Sequence, residues 1–202
     1  MDVNINEIVV GGTYRHFKGR LYNVLTIASD SENELKKVVV YEAQYGNKQL
    51  WVRDYDMFLS PVDKDKYPEI KQDNRFELIK PGIEPQNPVD LIDSYKRLKS
   101  QIITNGPENN GVIEFENSQR KIVVGGQYRH FKGQLYKILA VANDSETNND
   151  DEPKKVVVYE AQYGDKQVWV RDYDMFLSEI DKNKYPEIDQ KYRFQLVLTK
   201  EK

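Results

Sequence analysis

Val38-Val39-Val40-Tyr41-Glu42-Ala43-Gln44-Tyr45-Gly46-Asn47-Lys48-Gln49-Leu50-Trp51-Val52-Arg53-Asp54-Tyr55-Asp56-Met57-Phe58-Leu59-Ser60 decides the fold, because the chain contains it twice. It returns as Val156 to Ser178, 118 residues on, with Asp165 in place of Asn47 and Val168 in place of Leu50. Val38 to Tyr45 is β-branched and aromatic, a composition suited to a pleated strand. Gly46-Asn47 predicts a two-residue turn whose glycine takes the positive φ of a type II′ hairpin. That turn sets an expected register in which Tyr41 faces Val52, Ala43 faces Leu50 and Tyr45 faces Lys48. Side chains directly opposite share a face, so this set is the expected core side. The alternate pairs, Val40 with Arg53, Glu42 with Trp51 and Gln44 with Gln49, put a tryptophan on a polar face.

Working outward, Val9 to Ala28 reads as two strands around Lys18-Gly19, and its copy is Val123 to Ala142. The charged loop that follows each is expected at a solvent-exposed tip, since its length differs between copies. Asp54-Tyr55-Asp56-Met57-Phe58 predicts a short turn that inserts Met57 or Phe58 into the core. Arg75 to Ile79 alternates as a closing strand and returns as Arg193 to Val197. About five strands per copy predict an all-β chain of two small barrels. The boundaries are 1–82 for the first barrel, 83–118 for a linker and 119–202 for the second, each barrel expected to fold independently. Within the linker, Asn87-Pro88 is an N-cap followed by a favoured first helical residue. Leu91, Tyr95, Leu98 and Ile102 then fall on one face of a helix over about 88–104. That stripe either packs on the barrels or forms a dimer or partner surface.

The chain has 202 residues, a formal net charge of −3, a sequence pI near 5.6 and no cysteine. Acidic balance weighs against non-specific nucleic-acid binding, which draws its affinity from phosphate neutralisation. Without cysteine there is no disulfide framework and no thiolate metal site. No apolar run of membrane-spanning length and no signal-peptide pattern is present, so a soluble, cytoplasmic protein without membrane contact is expected.

Gly12-x-Tyr14-Arg15-His16-Phe17-Lys18-Gly19, Tyr22, Val39, Tyr41, Ala43, Tyr45-Gly46, Trp51-Val52-Arg53, Met57-Phe58 and Arg75-Phe76 resemble the bacterial and phage family catalogued as domain of unknown function sixteen fifty-three. Both copies match it from beginning to end. The resemblance implies an SH3-like barrel and implies no known activity or cofactor. Two departures stand out. Asp54 and Asp172 occupy a place where proline is common, and Ser29-Asp30 and Asn143-Asp144 occupy places where arginine and histidine are common before Ser-Glu. The second removes cationic side chains from that loop.

The two histidines, His16 and His130, are one position repeated, as are the two tryptophans, Trp51 and Trp169. Arg15 with Arg129, and Arg53 with Arg171, are also kept. These eight residues are the candidate ligand-binding set. Each carries a structural alternative: a tryptophan covered by the linker or the other barrel, an arginine paired on the surface with Glu42 or Glu160, a half-buried hydrogen-bonded histidine. Nothing in the sequence supplies a nucleophile beside the histidines, a Walker glycine loop or a metal-ligand spacing. The chain is therefore expected to be a non-catalytic binding module with no cofactor and no metal. Its expected ligand is a small anionic, ring-bearing, nucleotide-like molecule held by a Trp/Arg/His face on each barrel. The alternative is a protein–protein adaptor that takes a peptide on the same aromatic face.

Overall fold

The computed structural model describes residues 7–81, 122–147 and 152–197. The linker expected over 83–118, with its helix, lies outside the described residues. The first copy contains β1 (Thr13–His16), β2 (Leu21–Asp30), β3 (Lys37–Ala43), β4 (Leu50–Asp54), the short helix α1 (Tyr55–Leu59) and β5 (Phe76–Lys80). The second repeats it as β6 (Gln127–His130), β7 (Leu135–Asp144), β8 (Lys155–Ala161), β9 (Val168–Asp172), α2 (Tyr173–Leu177) and β10 (Phe194–Leu196). Each copy is an antiparallel sheet in the order β4-β3-β2-β1-β5 or its equivalent, an all-β, SH3-like unit as expected.

The helix after β4 closes each unit. Asp54 is its N-cap, and its carboxylate accepts the Met57 N–H at 3.0 Å. This sets Phe58 inward and fully buried, while Met57 stays exposed. Phe58 stacks on Phe76 with ring centroids 4.0 Å apart, and Tyr14 and Tyr41 meet it edge-on. Phe176 stacks on Phe194 at 4.1 Å in the second copy. Aromatic rings thus fill units too small to bury much aliphatic surface.

The hairpin register differs from expectation by one residue. Gly46 has φ 52, and the Lys48 N–H closes the turn onto the Tyr45 carbonyl at 3.0 Å. Lys48 is itself left-handed, at φ 50, and between the turn and the Ala43–Gln49 pair the outgoing side carries one residue more than the returning side. Val40 therefore faces Val52, Tyr41 faces Trp51 and Glu42 faces Leu50. A one-residue slip exchanges the faces. Trp51 and Arg53 share their face with Val39 and Tyr41, not with Glu42.

That slip places two apolar faces on one ribbon. Val39 and Tyr41 line the unit's own core with Tyr14, Val24, Phe58 and Phe76. Val38, Val40, Leu50 and Val52 point the other way, with Leu25 and Ala28, into a core shared with Leu139, Ala142, Val156, Val158, Val168 and Val170. Val24 and Leu25 alternate to opposite cores, and a bulge between Val24 and Thr26 lets Ile27 rejoin the face of Val24 and Ala28 that of Leu25. The copies are joined edge to edge as well. Ser29 and Asp30 of β2 pair in parallel with Trp169 and Val170 of β9, and Trp51 and Val52 of β4 pair with Asn143 and Asp144 of β7. The strands β2-β3-β4-β7-β8-β9 accordingly close on themselves as a central six-stranded barrel with approximate twofold symmetry. Closure removes the free edges that β4 and β9 would otherwise expose.

Candidate functional site

The loop after β2 is solvent-exposed over 32–35, as expected, but its first residue and that of its copy after β7 cross to the other copy. The Ser145 N–H and hydroxyl both donate to the Val52 carbonyl, at 3.0 and 2.7 Å. Ser31 donates its N–H to the Val170 carbonyl at 3.0 Å. Each crossing serine is followed by a glutamate, so Glu146 reaches the first copy and Glu32 the second. These contacts surround Arg53 and Arg171.

Arg53 donates through Nη2 to the Ser145 carbonyl at 3.3 Å, and its Nε is buried without an acceptor among the described residues. Its charge reaches Tyr41, Arg75 and His16. Burial raises the Tyr41 hydroxyl above its ordinary pKa, opposed by Arg53. Burial and then Arg53 lower the Arg75 guanidinium. Burial, followed by the charges of Arg53, Arg75 and Lys18, pulls the His16 imidazole down to about 4. His130 is held at about 4 by the same causes, with Arg171, Arg193 and Lys132 as the cations. Both imidazoles are thus neutral at pH 7, each packed on a phenylalanine and accepting a backbone N–H at Nδ1.

The contacts of the arginine differ in the second copy. Arg171, with a side chain only 10% exposed, is ion-paired with Glu32 and donates through Nε towards the Tyr159 hydroxyl. Glu146, the counterpart of Glu32, instead accepts the Asp54 N–H at 2.9 Å. Asp54 stands where the resemblance places a proline, which has no N–H to give.

Both arginines open into one cleft of about 200 Å³ at the end of the central barrel. Its wall carries Lys36 and Lys154, the carboxylates of Asp30, Asp144, Glu32, Glu146, Asp54 and Asp172, and apolar Val38, Val52, Val156 and Val170. Lys36 pairs with Asp54 at 3.6 Å.

The eight expected site residues are therefore only partly brought together. Arg53 and Arg171 share the cleft, with the neutral His16 and His130 within reach of their charge. Trp51 and Trp169 are partly buried, packed against the cores of their own copies, and do not line the cleft. Arg15 alternates with Tyr14 and His16 on β1 and points outward, paired with Glu77 at 3.2 Å. Arg129 is likewise exposed and donates to the Gly133 carbonyl. Arg53 does not pair with Glu42, because the two lie on opposite faces of the ribbon. Sequence reasoning missed Arg75, Tyr41, Glu32 and Glu146. The first two are repeated as Arg193 and Tyr159, and the Ser-Glu pair recurs as well, a signal that could have raised them. Among the described residues there is no cluster of His, Asp or Glu suited to a metal ion, and no helix long and apolar enough to cross a membrane.

Fold and site together define a tandem all-β protein whose two SH3-like copies share a central barrel and a charged cleft. The chain matches the family described as Protein of unknown function (DUF1653) over residues 12–78 and 126–196, and it belongs to that family. Neither the curated proteins nor the solved structures returned a match to it.

Proposed function

We propose that the protein is a non-catalytic binding module and that its ligand is a small anion held by Arg53 in the cleft. The observation that carries this reading is the buried Arg53 Nε–H without an acceptor. A buried donor left unsatisfied costs about 1–3 kcal/mol. No carboxylate pairs with Arg53 or Arg75 among the described residues, although carboxylates are plentiful in the cleft wall. An incoming oxyanion would satisfy the donor and gain a charge-assisted, planar contact.

The cleft's volume favours a ligand smaller than a nucleotide, since sites for drug-sized molecules run from about 300 Å³ upward. A ring stacked on Trp51, the basis of the nucleotide-like expectation, finds that indole packed on the core. The adaptor reading loses ground for the same reason, because its aromatic face is turned inward.

Thermal unfolding with inorganic phosphate, propionate or adenosine monophosphate tests the reading. A ligand at a hundred times its Kd adds about 2.7 kcal/mol of stability, an increase that Arg53→Gln should abolish for the ligand that binds. Equal increases in wild type and Arg53→Gln would mark a general salt effect and overturn it.

A further inference from the structure

We propose that Glu32 and Glu146 are built-in competitors for the cleft arginines, and that the external ligand is a small-molecule carboxylate taking the position Glu32 holds on Arg171. The inference rests on the anion-binding reading above and narrows its ligand class.

The two copies display two positions of one side chain. Ser31-Glu32 and Ser145-Glu146 are the same dipeptide, crossing to Arg171 and Arg53 on the same strand of the opposite copy. In one position the carboxylate joins the arginine, as Glu32 does. In the other it accepts the backbone N–H of the residue after the arginine, as Glu146 does with Asp54. In the first position the carboxylate ion-pairs Arg171, whose Nη1 still has no aligned hydrogen bond. In the second, Arg53 keeps a carbonyl contact, the Tyr41 hydroxyl beside it and no carboxylate, and its Nε has no acceptor among the described residues. The dipeptide and the arginine it meets are identical in the two copies, while the loops that follow differ in length. Each position supplies the carboxylate with a hydrogen-bond donor, and neither is shut off by sequence.

Glu32 also shows what chemistry the site accepts. Its side chain is 49% exposed, whereas that of Arg171 is 10% exposed. The carboxylate therefore approaches a buried guanidinium from the open side, the path a soluble carboxylate would follow. The planar guanidinium fork suits a carboxylate held edge-on. A cleft of about 200 Å³ admits a small molecule there. Among the described residues, Arg53 is thus without a carboxylate, while Arg171 is met by the chain's own Glu32.

The full-length, nitrogen-15-labelled protein tests this through the Nε–H resonances of Arg53 and Arg171, assigned by arginine-to-lysine substitution. Propionate, which reproduces a glutamate side chain from Cβ outward, is the probe, with inorganic phosphate as a second titrant. In the wild type, propionate should shift the Arg53 resonance saturably and leave Arg171 unmoved. In Glu32→Ala both should shift, raising the number of responding arginines from one to two. If Arg171 stays silent in Glu32→Ala while Arg53 responds, or already responds in the wild type, Glu32 is no competitor and the inference fails alone. An equal response to phosphate and propionate would overturn the carboxylate assignment and leave an anion site. If neither arginine responds to either titrant, the anion-binding reading falls with it.

Discussion

Separating the copies tests the shared barrel most directly. In residues 1–82 alone, Leu25, Val38, Val40, Leu50 and Val52 would lose the apolar partners supplied by the second copy. All five are at most 5% exposed in the whole chain. Burying one such side chain contributes about 1.5–3 kcal/mol, so exposing five costs on the order of 8–15 kcal/mol. That equals the entire stability of a typical domain, about 5–15 kcal/mol. The edges of β2 and β4 also lose their parallel partners. A folded monomer is therefore not expected, contrary to the independent folding that the repeat alone suggests. The same face recurs in both copies with one conservative change, Leu50 to Val168, so two fragments can rebuild the six-stranded barrel as a homodimer. Light scattering after gel filtration, with amide spectra on the same sample, should give a folded dimer or an unfolded or aggregated chain. A monomer with dispersed amides and cooperative unfolding at tens of micromolar would refute the shared-core argument.

Two further outcomes follow from the packing and the charges. Phe58→Ala should destabilise the chain by about 3–5 kcal/mol, because the ring is fully buried and stacked on Phe76. The neighbouring Met57→Ala should change stability by about 0.5 kcal/mol at most; equal losses in urea denaturation would show the helix turned the other way. Acid should weaken the fold through His16 and His130, whose folded pKa near 4 lies below the ordinary 6.5. Between these values the unfolded chain binds more protons, so the contribution is fully present above pH 6.5 and is lost as pH falls through 4. The double substitution His16→Gln with His130→Gln should flatten stability across that window, and an unchanged slope would assign it to other groups.

Much of the architecture was legible in the sequence because it is written locally. The repeat of Val38 to Ser60 at Val156 to Ser178 announces two equivalent units. Turn chemistry at Lys18-Gly19 and Gly46 marks the strand ends, and Phe58 in a short turn after β4 is a recognisable plug. The register was not legible, because it depends on Lys48 adopting a left-handed backbone, and lysine carries no signal for that conformation. The unbroken run Val38-Val39-Val40-Tyr41 did hint that the strand is buried on both faces. Only the tertiary structure revealed what covers the second face. The candidate site divides in the same way. Repetition picked out Arg53, Arg171, His16 and His130, but it also picked out Arg15, which points to solvent, and Trp51, which packs on a core. Alternation along a strand tells which residues share a face and not which way that face looks. The contacts that make the cleft join residues 92 positions apart, such as Arg53 with Ser145 and Asp54 with Glu146. Closure of the central barrel creates those contacts, bringing a loop from one copy over an arginine of the other, and no local pattern in either copy encodes the pairing.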